Sequence, residues 1–151
     1  MMAQFQVILQ LFLALVLGGL IGLEREYKKR EAGLRTHSLV ALGACLFTQI
    51  GILGFAPFLG KPGMTLDLSR IIQAVAVGIG FIGAGLIVFR QKRIEGLTTA
   101  AGLWVAAAIG IAVGIELYFL AIFTTSLAIV VLAGLRLIEE KIFRTKSKED
   151  E

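Results

Sequence analysis

The sequence predicts an all-α protein, a polytopic bundle of transmembrane helices, and three observations support this class. Hydrophobic residues make up 57% of the 151 residues, and only 17% are charged. A soluble domain carries about 25% charged residues. The charges are grouped between long uncharged runs, five of which approach the roughly 20 apolar residues that a spanning helix needs. The predicted spans are Phe5 to Leu23, Leu39 to Leu59, Ile71 to Phe89, Leu97 to Ile115 and Leu117 to Ile138.

The distribution of basic residues predicts the orientation of the five spans. Of the 15 Lys and Arg residues, five lie between positions 25 and 35, two between 61 and 70, three between 90 and 93, and five after position 135. Five alternating spans place all groups but the second on one side, and the positive-inside rule makes that side the cytoplasm. The N-terminus is then outside and the C-terminus cytoplasmic. We expect the first run to be an uncleaved span, because no basic segment precedes it and no small-residue cleavage site follows it.

The first span ends in a small-residue face followed by charged residues. Gly18 and Gly22 are four positions apart, so they share one helix face, where small side chains let a neighbouring helix approach closely. Glu24 and Arg25 follow at the membrane edge, where ionisable groups are costly unless they are paired. We therefore interpret Glu24 and Arg25 as candidate functional residues.

Residues 32–38, AGLRTHS, form the turn into the second span. Thr36 or Ser38 is a candidate cap for the incoming helix, because a side-chain oxygen accepts from its free amides. Arg35 lies beside the positive end of that helix dipole, so it requires a nearby acid or a bound anion. We expect His37 at the surface, and with one His and one Cys in the chain we predict no metal site.

The connector before the third span holds a polar trio on the outer side, Asp67, Arg70 and Gln73. Asp67 either caps the third helix with Arg70 beside it, or takes part in an outer polar site.

The third and fourth spans are rich in glycine, with a basic loop at residues 90–95 between them. Glycine costs about 1 kcal/mol in a helix interior relative to alanine, so close helix contacts are the expected reason for it. Five helices do not bury every small-residue face, so we expect a homodimer or a larger homo-oligomer. The glycines predicted to pack between helices are Gly18, Gly22, Gly78, Gly80, Gly83, Gly85, Gly102, Gly110 and Gly114.

Four motifs resemble those of the MgtC/SapB family of membrane proteins: GLERE at 22–26, AGLRT at 32–36, GIGFIGAG at 78–85 and GLTTAA-x-x-W at 96–104. The resemblance covers nearly the whole chain. It implies that residues 1–138 form the family's transmembrane domain, followed by a charged cytoplasmic tail at 139–151, without the soluble C-terminal domain that many members add. It also implies a multi-pass protein of the bacterial plasma membrane with a role in adaptation to low magnesium, phosphate handling or membrane energetics.

A weak internal duplication links the two basic turns. Gly22-Leu23 and Gly33-Leu34-Arg35-Thr36 align with Gly85-Leu86 and Gly96-Leu97-Thr98-Thr99 at a constant offset. Both helix pairs run in the same sense, so the hypothesis is a parallel two-helix repeat about an axis along the membrane normal.

Two functional hypotheses remain open. The sequence contains no catalytic dyad and no metal-ligand spacing, and GIGFIGAG lies in a membrane helix rather than in a nucleotide-binding βαβ unit. We therefore predict no enzyme and no cofactor, and the placement of the basic residues favours the lipid bilayer over nucleic acid. The preferred hypothesis is a regulatory protein acting through membrane protein partners; the alternative is a small transporter or channel for magnesium or an anion such as phosphate. The candidate polar pocket consists of Glu24, Arg25, Arg35, Thr36, Thr98 and Thr99.

Overall fold

The computed structural model describes residues 2–58, 67–90 and 93–135. Its five helices are α1 (Met2–Tyr27), α2 (Leu34–Phe55), α3 (Leu68–Leu86), α4 (Leu97–Gly114) and α5 (Tyr118–Ile129). A 3-10 turn (Ala56–Phe58) follows α2, and a π-helical segment (Val130–Leu135) continues α5. Within these ranges, α1 to α4 are long and apolar enough to cross a membrane, and α5 with its extension is a shorter apolar helix. The all-α class with membrane-length helices is therefore confirmed. The end of the fifth predicted span and the tail at 139–151 lie outside the described residues.

The turn between α1 and α2 differs from the predicted one. The helix α2 begins at Leu34 rather than Leu39, and its N-cap is Gly33, without a side-chain cap. Thr36 and Ser38 lie inside the helix, so their prediction as caps is wrong. The Glu26 carboxylate accepts from the Leu34 amide at 2.8 Å instead. Because α1 continues to Tyr27, it places Glu26 over the start of α2. Both α1 and α2 therefore extend beyond their apolar runs.

The predicted basic loop contains a small antiparallel hairpin of β1 (Val88–Arg90) and β2 (Arg93–Glu95). Gly96 follows with a φ of 86°, and a Cβ at this position would overlap the Leu86 carbonyl oxygen, so the turn into α4 requires glycine. The hairpin and the α1–α2 turn at residues 28–33 lie at one end of the bundle, where they line a common cavity. We call this the basic end.

The core lies where α1 and α4 pack on either side of α2. A Cβ on Gly18 would lie 2.6 Å from the Cβ of Ala41, and one on Gly110 would overlap the Ala41 carbonyl oxygen. Both α1 and α4 therefore approach the α2 backbone directly at Ala41. The most apolar window of α4 is 56% buried, against 11% for that of α3, which therefore lies at the periphery.

The glycines predicted to pack between helices divide into two groups. A Cβ added at Gly78, Gly80 or Gly85 of α3 would have no atom of the described residues within 4 Å beyond its own helix turn. These three glycines therefore touch no neighbouring helix among the described residues. The glycines that meet another helix or turn are Gly18, Gly22, Gly83, Gly102, Gly110 and Gly114.

We predict that Gly110→Ala destabilises the bundle by about 1–3 kcal/mol, because the added methyl forces α4 away from Ala41. The matched control is Gly85→Ala, which also adds a methyl group to a helix but has open space around it. Thermal unfolding in detergent measures both variants. Equal melting temperatures for the two variants would contradict the close contact at Ala41.

Candidate functional site

A polar cavity of about 700 Å³ opens at the basic end. Its walls come from the end of α1, the turn at residues 30–31, the end of β2, the first turn of α4 and the π-helical segment. The lining residues include Glu24, Arg25, Glu31, Thr98 and Thr99. The first amides of α4 have no acceptor further back in that helix, so this wall carries the positive end of a helix dipole.

Arg25 is the buried cation of this cavity, with only 4% of its surface exposed. Its guanidinium donates from Nη2 to the Thr99 hydroxyl at 2.8 Å, which ties α1 to the start of α4. Its Nη1 lies 3.9 Å from Oε2 of Glu24. Gly18 and Gly22 let α1 pack closely on α2, and this packing carries Arg25 inwards. Pairing offsets part of the large cost of holding a charge away from water.

Glu31 supplies a carboxylate to the start of α4. The Thr99 hydroxyl donates to Glu31 Oε2 at 3.0 Å. The backbone amide of Glu31 and then this hydroxyl hold the pKa of Glu31 below its usual range. A negative charge at this position is also favoured by the α4 dipole. Thr99 therefore lies between a guanidinium and a carboxylate, and this three-residue cluster of Arg25, Thr99 and Glu31 forms the centre of the site.

His37 is fully buried beneath the cavity, so its expected surface position is wrong. Its Nδ1 donates to the Gly33 carbonyl at 3.0 Å. Its Nε2 has no hydrogen-bond partner among the described residues and faces Gly102, where a Cβ would lie 3.1 Å away. The absence of a side chain at position 102 thus makes room for the imidazole ring.

The structure brings only part of the sequence-predicted pocket together. Glu24, Arg25, Thr98 and Thr99 line the polar cavity, whereas Arg35 and Thr36 line a separate groove between α2 and α3. The reason is the rotation of α2. His37 points towards α4, and its two preceding neighbours lie about 100° and 200° around the helix from it.

Two members of the predicted polar trio, Asp67 and Arg70, form a helix cap with an exposed ion pair. Asp67 is the N-cap of α3 and accepts from the Ser69 amide at 3.0 Å and from the Ser69 hydroxyl. That hydroxyl is the main reason that the pKa of Asp67 is lowered. Arg70 lies 3.5 Å from Asp67, and both side chains are largely exposed. Gln73 is exposed one turn further along α3. The group has the geometry of a helix cap.

A second buried polar cluster lies at the opposite end of the bundle. Gln49 donates to the Gln10 side chain and, at 2.8 Å, to the Gly114 carbonyl. Gln10 in turn donates to the Tyr118 hydroxyl at 2.9 Å. Both glutamines are more than nine-tenths buried, so four helices or helix ends are joined through them.

Sequence reasoning missed the roles of Glu31, His37 and the two glutamines. A signal for His37 was present, because His37, Ala41, Ala44, Cys45 and Thr48 recur at helical spacing and form one face of small and polar residues. No local pattern identifies Glu31, because its partner Thr99 is 68 positions away.

Comparisons with known proteins add a family context. The model of the MgtC family matches residues 11–141. Over 132 residues the chain is 46% identical to YhiD of Escherichia coli K12, whose name proposes magnesium transport; the match covers 87% of this chain and 60% of YhiD. Identity to SrpB of Synechococcus elongatus is 37% over 93% of this chain and 80% of SrpB. Identity to MgtC of Salmonella typhimurium is 43% over 76% of this chain and 46% of MgtC. The chain thus spans about half to four-fifths of the length of these relatives. No solved structure matches.

We predict that Glu31 stabilises the fold in a pH-dependent way. Its pKa is lower in the folded than in the unfolded chain, so the stabilisation is fully present above the ordinary value of 4.5 and is lost as pH falls through the folded pKa. The melting temperatures of wild type and Glu31→Gln in detergent, followed from about pH 7 to about pH 3, should therefore converge at the acid end. A constant difference across that range would mean that the charge of Glu31 does not contribute.

Proposed function

Because the chain belongs to the MgtC family, we propose that it is a regulatory membrane protein. It acts through membrane protein partners in adaptation to low magnesium or to a related ion or phosphate stress. The polar cavity at the basic end is the site that responds to a charged ligand or to a charged segment of a partner. Arg25 and Thr99 hold the cavity in shape, and Glu31 accepts from Thr99 at the start of α4.

The observation that carries this proposal is the filled interior beneath the cavity. His37 packs against Gly102, and further along the bundle Ala41 lies between Gly18 and Gly110. The buried side chains between these contacts include Ile21 and Leu103, both with no exposed surface. A cavity that is open at one end and closed by helix contacts beneath supports binding at one face of the membrane more than passage across it.

We also propose the finer architecture that the sequence predicts. The protein has five spans in a bacterial plasma membrane, with the N-terminus outside and the basic end in the cytoplasm, and its two helix pairs form a parallel repeat. It assembles as a homodimer or larger homo-oligomer. The open space beside Gly80 and Gly85 of α3 and the small buried fraction of that helix support further contacts in the bilayer.

Magnesium transport is the second candidate function. Three carboxylates, those of Glu24, Glu31 and Glu95, line the cavity, and the name of YhiD proposes magnesium transport for that relative. Mg²⁺ usually keeps several of its waters, so a cavity of this size with acidic walls suits a hydrated ion. Among the described residues, no three His, Cys, Asp or Glu side chains are arranged to hold a metal ion directly.

Thr99→Val tests the cavity as the functional site. The substitution removes the hydroxyl that accepts from Arg25 and donates to Glu31, at nearly constant volume. We expect the variant to insert and fold but not to restore growth at low magnesium in a strain that lacks the protein. The control is Thr125→Val, because the Thr125 hydroxyl is equally buried and bonds only within its own helix to the Ala121 carbonyl.

Flux assays separate the two functions. Under the regulatory proposal, proteoliposomes of the pure wild-type protein show no magnesium or phosphate flux above empty vesicles. Magnesium flux that Thr99→Val abolishes and Thr125→Val retains would overturn the regulatory proposal in favour of transport. If Thr99→Val restored full growth at low magnesium, the polar cavity would not be the site of either function.

Labelling of single cysteines tests the orientation. In a Cys45→Ala background, which removes the only native cysteine, we place cysteines at Ser69 in the first turn of α3 and at Lys29 in the α1–α2 turn. Both positions are exposed. A membrane-impermeant maleimide should label position 69 in intact cells and position 29 only after permeabilisation. Labelling of both positions from the same side would contradict the alternating spans.

A further inference from the structure

A second cavity, separate from the polar one, runs between α2 and α3. It is a groove of about 920 Å³, lined almost entirely by apolar side chains of these two helices, with Ala107 of α4 also contributing. Its lining extends along α2 from Arg35 to Phe55, about 30 Å at 1.5 Å per residue. That length matches the hydrocarbon thickness of a bilayer, so the groove faces acyl chains along its whole course.

The two helices of the groove touch near the end that lies away from the basic end of the bundle. Near the outer ends of the helices, the Ile71 side chain fills the space over Gly51, so α2 and α3 touch there. Gly43 and Gly78 line the middle of the groove, and a Cβ on either would meet no described atom within 4 Å. Two glycines on opposite walls therefore leave a channel between helices that are in contact near its far end. This shape suits a narrow flexible chain better than a helix, whose diameter with side chains is about 10–12 Å.

The end of the groove beside the α1–α2 turn is positively charged. Arg35 and Thr36 line it there, within the first turn of α2. The dipole of α2 places its positive end at the same point. Arg35 is exposed at this position, where the helix dipole favours an anion. The nearby acid Glu26 accepts from the Leu34 amide. Arg70 lines the far end of the groove, where its side chain lies 3.5 Å from Asp67. The walls are thus apolar along the bilayer and carry a basic side chain at each end, and the one at the far end is paired with an acid.

We propose that the α2–α3 groove binds an anionic phospholipid, with one acyl chain between the helices and the phosphate at Arg35 and Thr36. The apolar walls select the chain, and the cation and hydroxyl at the mouth select the phosphodiester. A spanning helix of a partner or of a second copy would have to place a carboxylate at Arg35. A phospholipid carries its anion at that depth already. This site does not depend on the function proposed for the polar cavity.

Native mass spectrometry of the protein released from nanodiscs of mixed phosphatidylglycerol and phosphatidylethanolamine tests the proposal. Wild type should retain one phospholipid per chain with a preference for phosphatidylglycerol. Arg35→Gln should reduce that preference about fivefold, as expected for one basic side chain near an anionic headgroup. Lys29→Gln, which removes a cation at the same end outside the groove lining, should leave it unchanged.

The second part of the test uses a variant in which a larger side chain fills the groove. Gly78→Leu places a side chain in the groove without meeting the backbone, and it should abolish lipid retention. Gly80→Leu is the matched control, because it is equally open and lies outside the groove lining. Equal lipid retention by these two variants would overturn the proposal. Lipid retention without a preference for one headgroup would also overturn it. The same holds if Gly78→Leu dissociates a dimer while lipid retention persists, because a second copy of the chain would then occupy the groove.

Discussion

The approach of α1 and α4 to the backbone of α2 at Ala41 is the constraint on which the rest of the structure depends. Gly18 packs against the Ala41 methyl group and Gly110 against the Ala41 carbonyl oxygen, so even one added methyl group would push the helices apart. In hydrocarbon the hydrophobic effect does not drive helices together, so association depends on such close packing and on polar contacts. The contact fixes the rotation of α2, and the rotation decides which residues face each cavity.

Polar contacts complete the bundle at its two ends, and the two ends differ in character. At the end away from the basic turns, Gln10, Gln49 and Tyr118 bond one another and a helix carbonyl in a closed network. At the basic end, Oε2 of Glu24 and Nε2 of His37 are buried without hydrogen-bond partners in the described residues. An unsatisfied buried polar group is costly, and one that persists points to a role beyond packing. The first network therefore has the character of a structural clamp, whereas the basic end contains the two atoms that support the proposed binding site, one of them also in an ion pair with Arg25.

The helices were predictable because a chain that crosses hydrocarbon must satisfy its backbone within each segment, which leaves long apolar runs as a direct signal. The positions of Arg25, Thr98 and Thr99 at one cavity follow from the two basic turns that the sequence shows. The position of Arg35 outside the polar cavity could not be predicted, because the sequence alone does not show how α2 is rotated about its axis. Once Ala41 is known to face α1 and α4, His37 one turn earlier must do so too, and Arg35 must face elsewhere. The contact of Glu31 with Thr99 depends on the path of the turn, which no periodicity encodes.

The proposed repeat relates the two cavities to each other. It pairs α1 with α3 and α2 with α4, so a cavity between the end of α1 and the start of α4 corresponds to one between α3 and the start of α2. The polar cavity and the lipid groove occupy these two places. At the offset that aligns Gly22 with Gly85, the positions equivalent to Glu24 and Arg25 are Ile87 and Val88. The two positions that carry an ion pair beside the polar cavity are thus apolar in the other half of the proposed repeat. A duplicated unit whose copies diverged in this way would hold a charged ligand and a phospholipid on neighbouring sides of one bundle, joined through α2 and α4.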